Sequence, residues 1–266
     1  MKRSVLWKRT LAATLTVLAV VAGVWPLPAV AQATNEAPVD QSAITALENM
    51  GAYLRTLKAF QLEAVIQREE VLENGLKVQS QRLISLLARK PDRLRVDASS
   101  DWQERQYLYD GKQFTLWARR VNYYATVPAP PTIRELVDVL DQKFGVEMPL
   151  VDLFRWGSDA ASATNITLAV DIGLSKVGGA DCRQYAFRQE GLDCQVWIQI
   201  GDFPLPRKLV LTTTTDEARP QFQATCAWNL APTFTEEDFT FKPPADACRI
   251  VFDEITPDTG SGTEEK

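Results

Sequence analysis

The residues of this chain with covalent chemistry in reach are few: the adjacent Ser175-Lys176, the acidic runs Glu69-Glu70 and Glu236-Glu237-Asp238, and Cys182, Cys194, Cys226 and Cys248. None of the 266 residues is a histidine. That removes Ser-His-Asp and Cys-His activation, His-ligated metal sites and the commonest general base together. Ser175-Lys176 has no nucleophile elbow around it, and the acidic runs have the spacing of solvated strand edges and loops. Gly178-Gly179 lacks the flanks of a phosphate-binding loop and reads as a turn. The cysteines include no close pair for zinc. Their even number in an exported chain favours disulfides, for which four cysteines allow three pairings. If residues 182–201 form a tight hairpin near Gly191, Cys182 and Cys194 are out of register and too far apart to bond. No metal and no cofactor is expected. These residue types point to binding by shape and burial, with a histidine-free hydrolase as the remaining catalytic alternative.

The first 31 residues have the three zones of a secretory signal. Lys2, Arg3, Lys8 and Arg9 give the positive start, Leu11 to Trp25 the apolar run, and Ala29-Val30-Ala31 a small-residue cleavage site. The apolar run is shorter than the roughly twenty residues that span a bilayer. The expectation is an exported, periplasmic protein with a flexible segment over 32–39, one domain over 40–255 and a disordered tail over 256–266. Residues 1–31 hold four of the 29 basic residues and none of the 34 acidic ones, so the remainder carries a net charge of −9. That balance excludes bulk nucleic-acid binding, which needs a basic footprint.

Hydrophobic periodicity supplies the elements. Ile44, Leu47, Gly51, Leu54 and Leu57 fall on one stripe of an amphipathic helix over Asp40–Leu57. From Phe60 the period changes to two, and Phe60, Leu62, Ala64 and Ile66 alternate with polar residues as in a half-buried strand. Leu76–Ala88, the Leu94 and Val96 stretch, Tyr107–Tyr109, Phe114–Arg119 and Tyr123–Val127 complete a meander, turned at Asp110-Gly111 among other places. Pro128, Pro130 and Pro131 end it. Thr132 and Glu135 form a capping box, and Ile133, Leu136, Val137, Leu140 and Phe144 make the dry face of a helix that must cover something. Leu150–Trp156 reads as a second short helical turn. Strands resume at Ile166–Val170, Tyr185–Phe187, Val196–Ile200, Leu209–Thr215, Phe222–Trp228 and Phe239–Phe241. Roughly ten antiparallel strands around two helical insertions predict a curling sheet.

The runs YLYDGKQFTLW, NYY, Pro131-Thr132-Ile133, P-x-x-D-x-F from Pro149, CRQYAFR, QVWIQIGDFPLPRKLVLTT, PQF and AWNLAP resemble a group of uncharacterised bacterial proteins described as predicted periplasmic proteins. The group is similar in architecture to the superfamily of the lipoprotein carrier LolA, its receptor LolB, the lipoprotein LppX and the regulator RseB. The resemblance spans Asp40 to Phe252. It implies a mainly β (α+β) fold, an unclosed antiparallel β half-barrel with a helical lid, whose apolar cavity accepts acyl chains in the carriers. Members of the group often have a histidine before the A-F-R run. This chain has Gln184 there, which argues against a catalytic role for that position.

Taken with the alternation, this makes Phe60, Leu62, Ile66, Leu94, Val96, Phe114, Leu116, Ile198, Ile200, Leu209, Leu211, Phe222 and Trp228 the expected inward face, with Ile133, Leu136, Leu140 and Phe144 on the lid. The expected role is non-catalytic carriage of a lipid or lipoprotein acyl chain by a monomer. The alternative is a regulatory module that contacts an envelope membrane protein. The same inward residues equally describe a solid core. Nine basic and five acidic residues over 82–120, against three and nine over 232–266, would steer an anionic head group or acidic partner to the first meander, or form a solvated face. Trp102, Trp117 and Tyr124 are candidates for an exposed aromatic patch.

Overall fold

The structure, a computed structural model, describes residues 39–150, 152–155 and 165–253. The expected signal segment and the tail from Thr256 lie outside the described residues. Helix α1 spans Gln41–Thr56; Asp40 caps it by accepting from the Ser42 N–H at 2.8 Å, as an N-cap carboxylate does. The Asp40 N–H donates to the Ala169 carbonyl. At the other end, Lys90 Nζ donates to the Leu54 carbonyl at 2.9 Å, satisfying an acceptor of the last turn. Ala43, Ile44, Met50, Gly51 and Leu54 are the buried stripe.

One sheet follows. Its strands are β1 (Ala59–Val71), β2 (Lys77–Arg89), β3 (Arg93–Ser99), β4 (Glu104–Tyr109), β5 (Gln113–Ala118), β6 (Tyr123–Pro128), β7 (Leu168–Val177), β8 (Ala180–Gln189), β9 (Leu192–Gln199), β10 (Pro206–Thr213), β11 (Gln221–Asn229) and β12 (Cys248–Arg249). They lie in the order β12-β6-β5-β4-β3-β2-β1-β11-β10-β9-β8-β7. All neighbours are antiparallel except β12 and β6. Two meanders therefore run outward from the seam where β1 meets β11, with Leu62 opposite Trp228 and Ile66 opposite Ala224. The edge strands β12 and β7 do not pair with each other, so the barrel is unclosed. The Gly178-Gly179 turn joins β7 to β8 with both residues at positive φ, the conformation a two-residue hairpin requires.

Alternation places the core on one face. Phe60, Leu62, Ala64 and Ile66 of β1 are buried together with Ile84, Leu86, Leu94, Val96, Tyr109 and Phe114. Helix α2 (Ile133–Phe144) lies against them. Thr132 Oγ1 accepts from the Glu135 N–H and donates to its carboxylate. Gly145, at φ 59°, stops the helix with its N–H on the Asp141 and Leu140 carbonyls. Ile133, Leu136, Val137 and Leu140 are at most 3% exposed, so the lid is part of the core. Tyr109 Oη donates to the Pro130 carbonyl and the Ile133 N–H to the Pro91 carbonyl, fixing how the helix enters. A short helix α3 (Asp152–Arg155) follows.

Several expectations are corrected. Among the described residues the sheet has twelve strands, where roughly ten were expected. Phe239 is in a 3-10 turn over Glu236–Phe239, where a strand was expected. Its acidic residues pull it out of the ladder: Glu236 pairs with Arg89 at 2.5 Å and Arg93 at 3.0 Å, and Asp238 approaches Arg95 at 3.9 Å. The charge asymmetry between the first meander and the C-terminal stretch is thus met in part within the molecule. Phe241 covers Tyr124 and Trp117, with ring centroids 4.9 and 5.8 Å apart; Trp102 is exposed, in a bend outside the strands. All four cysteines are free thiols, against the disulfide expectation. Cys182 packs with Trp197 and Val210 on the outer face, Cys194 and Cys226 pack against the inner core two strands apart, and Cys248 is exposed on β12. Adjacent strands are about 4.8 Å apart, so two strands of separation exceed disulfide reach.

Candidate functional site

The inward face of the seam changes character along its length. On β1, Phe60, Leu62, Ala64 and Ile66 are followed on the same face by Arg68, and on β2, Ala88, Leu86 and Ile84 are followed by Arg82 and Ser80. The register puts Ile66 opposite Arg82 and Arg68 opposite both Ser80 and, on β11, Phe222. Over this end of the seam lie the last turns of α2 and the segment from Val146 to Leu150. Val146 is turned back by its N–H bond to the Leu140 carbonyl at 2.9 Å.

Between them is a half-open pocket of about 250 Å³. Its apolar wall is Ile66, Val137, Leu140, Val146, Met148 and Phe222; Arg68, Ser80 and Arg82 on the sheet side and Asp141 and Glu147 on the helix side form its rim. Arg68 and Glu147 face each other at 3.6 Å, both largely in solvent, so their pairing contributes little to stability.

Of the expected inward residues, Ile66, Leu140 and Phe222 line this pocket. Phe60, Leu62, Leu94, Val96, Phe114, Ile133, Leu136 and Ile198 are buried and fill the interior against one another. Leu116, Phe144, Leu209 and Trp228 pack partly buried on the same core. Leu211 is half-buried opposite Phe222. Ile200 is a correction: β9 ends at Gln199, and Ile200 is 48% exposed beyond it. The alternation that carries Val196 and Ile198 inward stops there because the chain turns at Gly201, φ 104°.

Sequence reasoning missed Arg68, Arg82, Ser80, Val146 and Met148 as pocket residues. The break of apolar parity at Arg68 and Arg82 was the available signal for the rim. Val146 and Met148 follow a helix stop and carry no periodicity.

Burial pushes the Cys194 and Cys226 thiols up to about 12, so neither is a thiolate at neutral pH. Burial likewise raises Tyr109 to about 12. Gln184 Nε2 donates to Gln195 Oε1 on β9 at 3.1 Å. No group of metal-ligating side chains occurs among the described residues, and no helix among them is long and apolar enough to cross a membrane.

Solved structures similar to this one include LprF from Mycobacterium bovis, at 12% identity and TM-score 0.45 over 74% of this chain and 96% of that one. The MucA/MucB complex of Pseudomonas aeruginosa matches at 15% identity and TM-score 0.44, over 76% of this chain and 61% of that one. A LolA superfamily protein from Nitrosomonas europaea matches at 10% identity and TM-score 0.32, over 75% and 97%. No curated protein matches the chain in sequence. The family model described as "Predicted periplasmic protein (DUF2092)" matches residues 43–253, and the chain belongs to that family.

Proposed function

We propose that this protein is a non-catalytic periplasmic binding protein that holds an acyl chain of a lipid or lipoprotein in the pocket between α2 and the β1-β2-β11 seam. The observation that carries this is the pocket itself, an apolar recess of about 250 Å³ continuous with the inner face of the sheet. At about 30 Å³ for a group the size of a water molecule, it takes roughly eight methylenes. Each methylene removed from water is worth about 0.8 kcal/mol, so eight supply at most about 6 kcal/mol. That suits reversible carriage of a chain end. The packed interior beneath leaves the remainder of a long chain outside this recess, along the mouth.

Native mass spectrometry of protein purified from its own envelope tests this. Co-purifying lipid or acylated peptide is the expected result; an empty protein that also fails to take up fatty acid in vitro contradicts it. A regulatory reading draws on a different feature, the edge strand β7, whose Ile172 and Leu174 are 54% and 79% exposed. An exposed apolar edge can accept a strand from a partner. A stoichiometric protein partner in the same spectrum would favour that reading, and turnover of an ester substrate would favour a hydrolase.

A further inference from the structure

We infer that the pocket selects chains ending in an anionic head group, which Arg82 and Arg68 receive at the rim; this rests on the acyl-chain reading above and adds the chemistry of the head. The arginines occupy positions where the inward face of the seam would otherwise continue apolar. Arg82 is the register partner of Ile66, a wall residue, and Arg68 is the partner of Ser80. On an antiparallel pair this makes Arg68 and Arg82 diagonal neighbours on one face, with Cβ atoms about 7 Å apart. That is a span one carboxylate or phosphate can bridge through two guanidinium forks. Ser80 adds a hydroxyl beside them, held only by a 3.4 Å contact to the Arg68 carbonyl.

The charges on the helix side are already engaged. Glu147 faces Arg68 at 3.6 Å, and Asp141 has a partner of its own. Arg82 forms no ion pair among the described residues. An arriving anionic head therefore exchanges with the Glu147 carboxylate at Arg68 and gains Arg82 as a new partner. An uncharged head gains neither; a cationic head can only displace Arg68 from Glu147, gains no new partner in exchange, and faces Arg82 as a like charge. The chain end enters the apolar wall while the head stays at the half-open rim, in contact with water, so the head need not be fully desolvated.

The test uses the mature chain and four amphiphiles of equal chain length below their micellar concentrations: an alkyl carboxylate, an alkyl phosphate, a fatty alcohol and an alkyl trimethylammonium. Each competes with a fluorescent fatty-acid probe. The carboxylate and phosphate are expected to bind about tenfold more tightly than the alcohol, and the ammonium more weakly than the alcohol. The ratio of the two anions tells a fatty-acid-like head from a phospholipid-like one. Arg82→Gln is expected to shrink the anions' advantage over the alcohol, read as a ratio within the variant, from about tenfold toward parity. Glu147→Gln, an exposed substitution without consequence for folding, is expected to strengthen the anions alone. Equal binding of all four heads, or an anion preference that survives Arg82→Gln and ignores Glu147→Gln, overturns the inference and leaves acyl-chain binding standing. Binding of none overturns the acyl-chain reading itself.

Discussion

Ser80→Trp should close the pocket without unfolding the protein. Ser80 is half-buried on the inward face of β2 at the pocket rim, opposite Arg68, and tryptophan is a favourable strand residue. The indole brings about nine ring atoms to a recess that takes roughly eight methylene-sized groups. If half of those groups can no longer enter, about 3 kcal/mol of burial is lost at about 0.8 kcal/mol each, which weakens binding on the order of 100-fold. The native hydroxyl makes only the long contact to the Arg68 carbonyl at 3.4 Å, so its loss costs under about 1 kcal/mol. The melting temperature should then stay within about 4 °C of wild type. Calorimetric titration with a saturated fatty acid, paired with thermal unfolding of the same samples, reads both quantities. Unchanged affinity in a folded variant would refute the reasoning, because the chain would then bind elsewhere.

Other consequences follow from the packing. Leu136→Ala in α2 should cost about 2–5 kcal/mol in urea unfolding, since this side chain is 1% exposed; a cost below about 1 kcal/mol would mean the helix is a loosely held flap. At pH 8, a thiol reagent should find exposed Cys248 first, and partly buried Cys194 and Cys226 much more slowly until the protein is denatured. Because burial holds these two thiols at about 12 in the folded protein, above their usual 9.0, their contribution to stability is whole below pH 9. It is lost as pH rises toward 12, so alkaline unfolding that leaves Cys194→Ala and wild type indistinguishable would contradict it. Hydrogen bonds from Arg89 and then Arg93 hold the Glu236 carboxyl below its usual 4.5. The tie therefore persists above pH 4.5 and fails as pH falls through the lower folded value. The protection of amides over 234–241, taken relative to their intrinsic exchange rate at each pH, should fall on acidification, and Glu236→Gln should show that loss already at pH 7.

Most of the fold was legible because period-two alternation survives wherever one sheet face is dry. Phe60 to Ile66 and Leu94 with Val96 announce their strands, and Thr132 with Glu135 announces the helix start. Pairing across the seam was not legible, since β1 and β11 meet across more than 150 residues of chain. Phe239 misled because two phenylalanines at spacing two imitate a strand; the Glu236 pairs with Arg89 and Arg93, which hold the turn instead, are long-range. The site was legible only in part. Alternation says which side chains point inward but not where they meet and where they leave a gap. Ile198 and Leu62 end in close packing, while Ile66 and Phe222 border space only because α2 stops at Gly145 and the chain turns away.

The most direct measurement is a crystal structure grown with a fatty acid brominated near its terminal methyl. Anomalous peaks beside Ile66, Leu140 and Phe222, with the carboxylate toward Arg82, are the predicted result. Bromine at another surface, or an empty pocket at saturating ligand, would contradict the account.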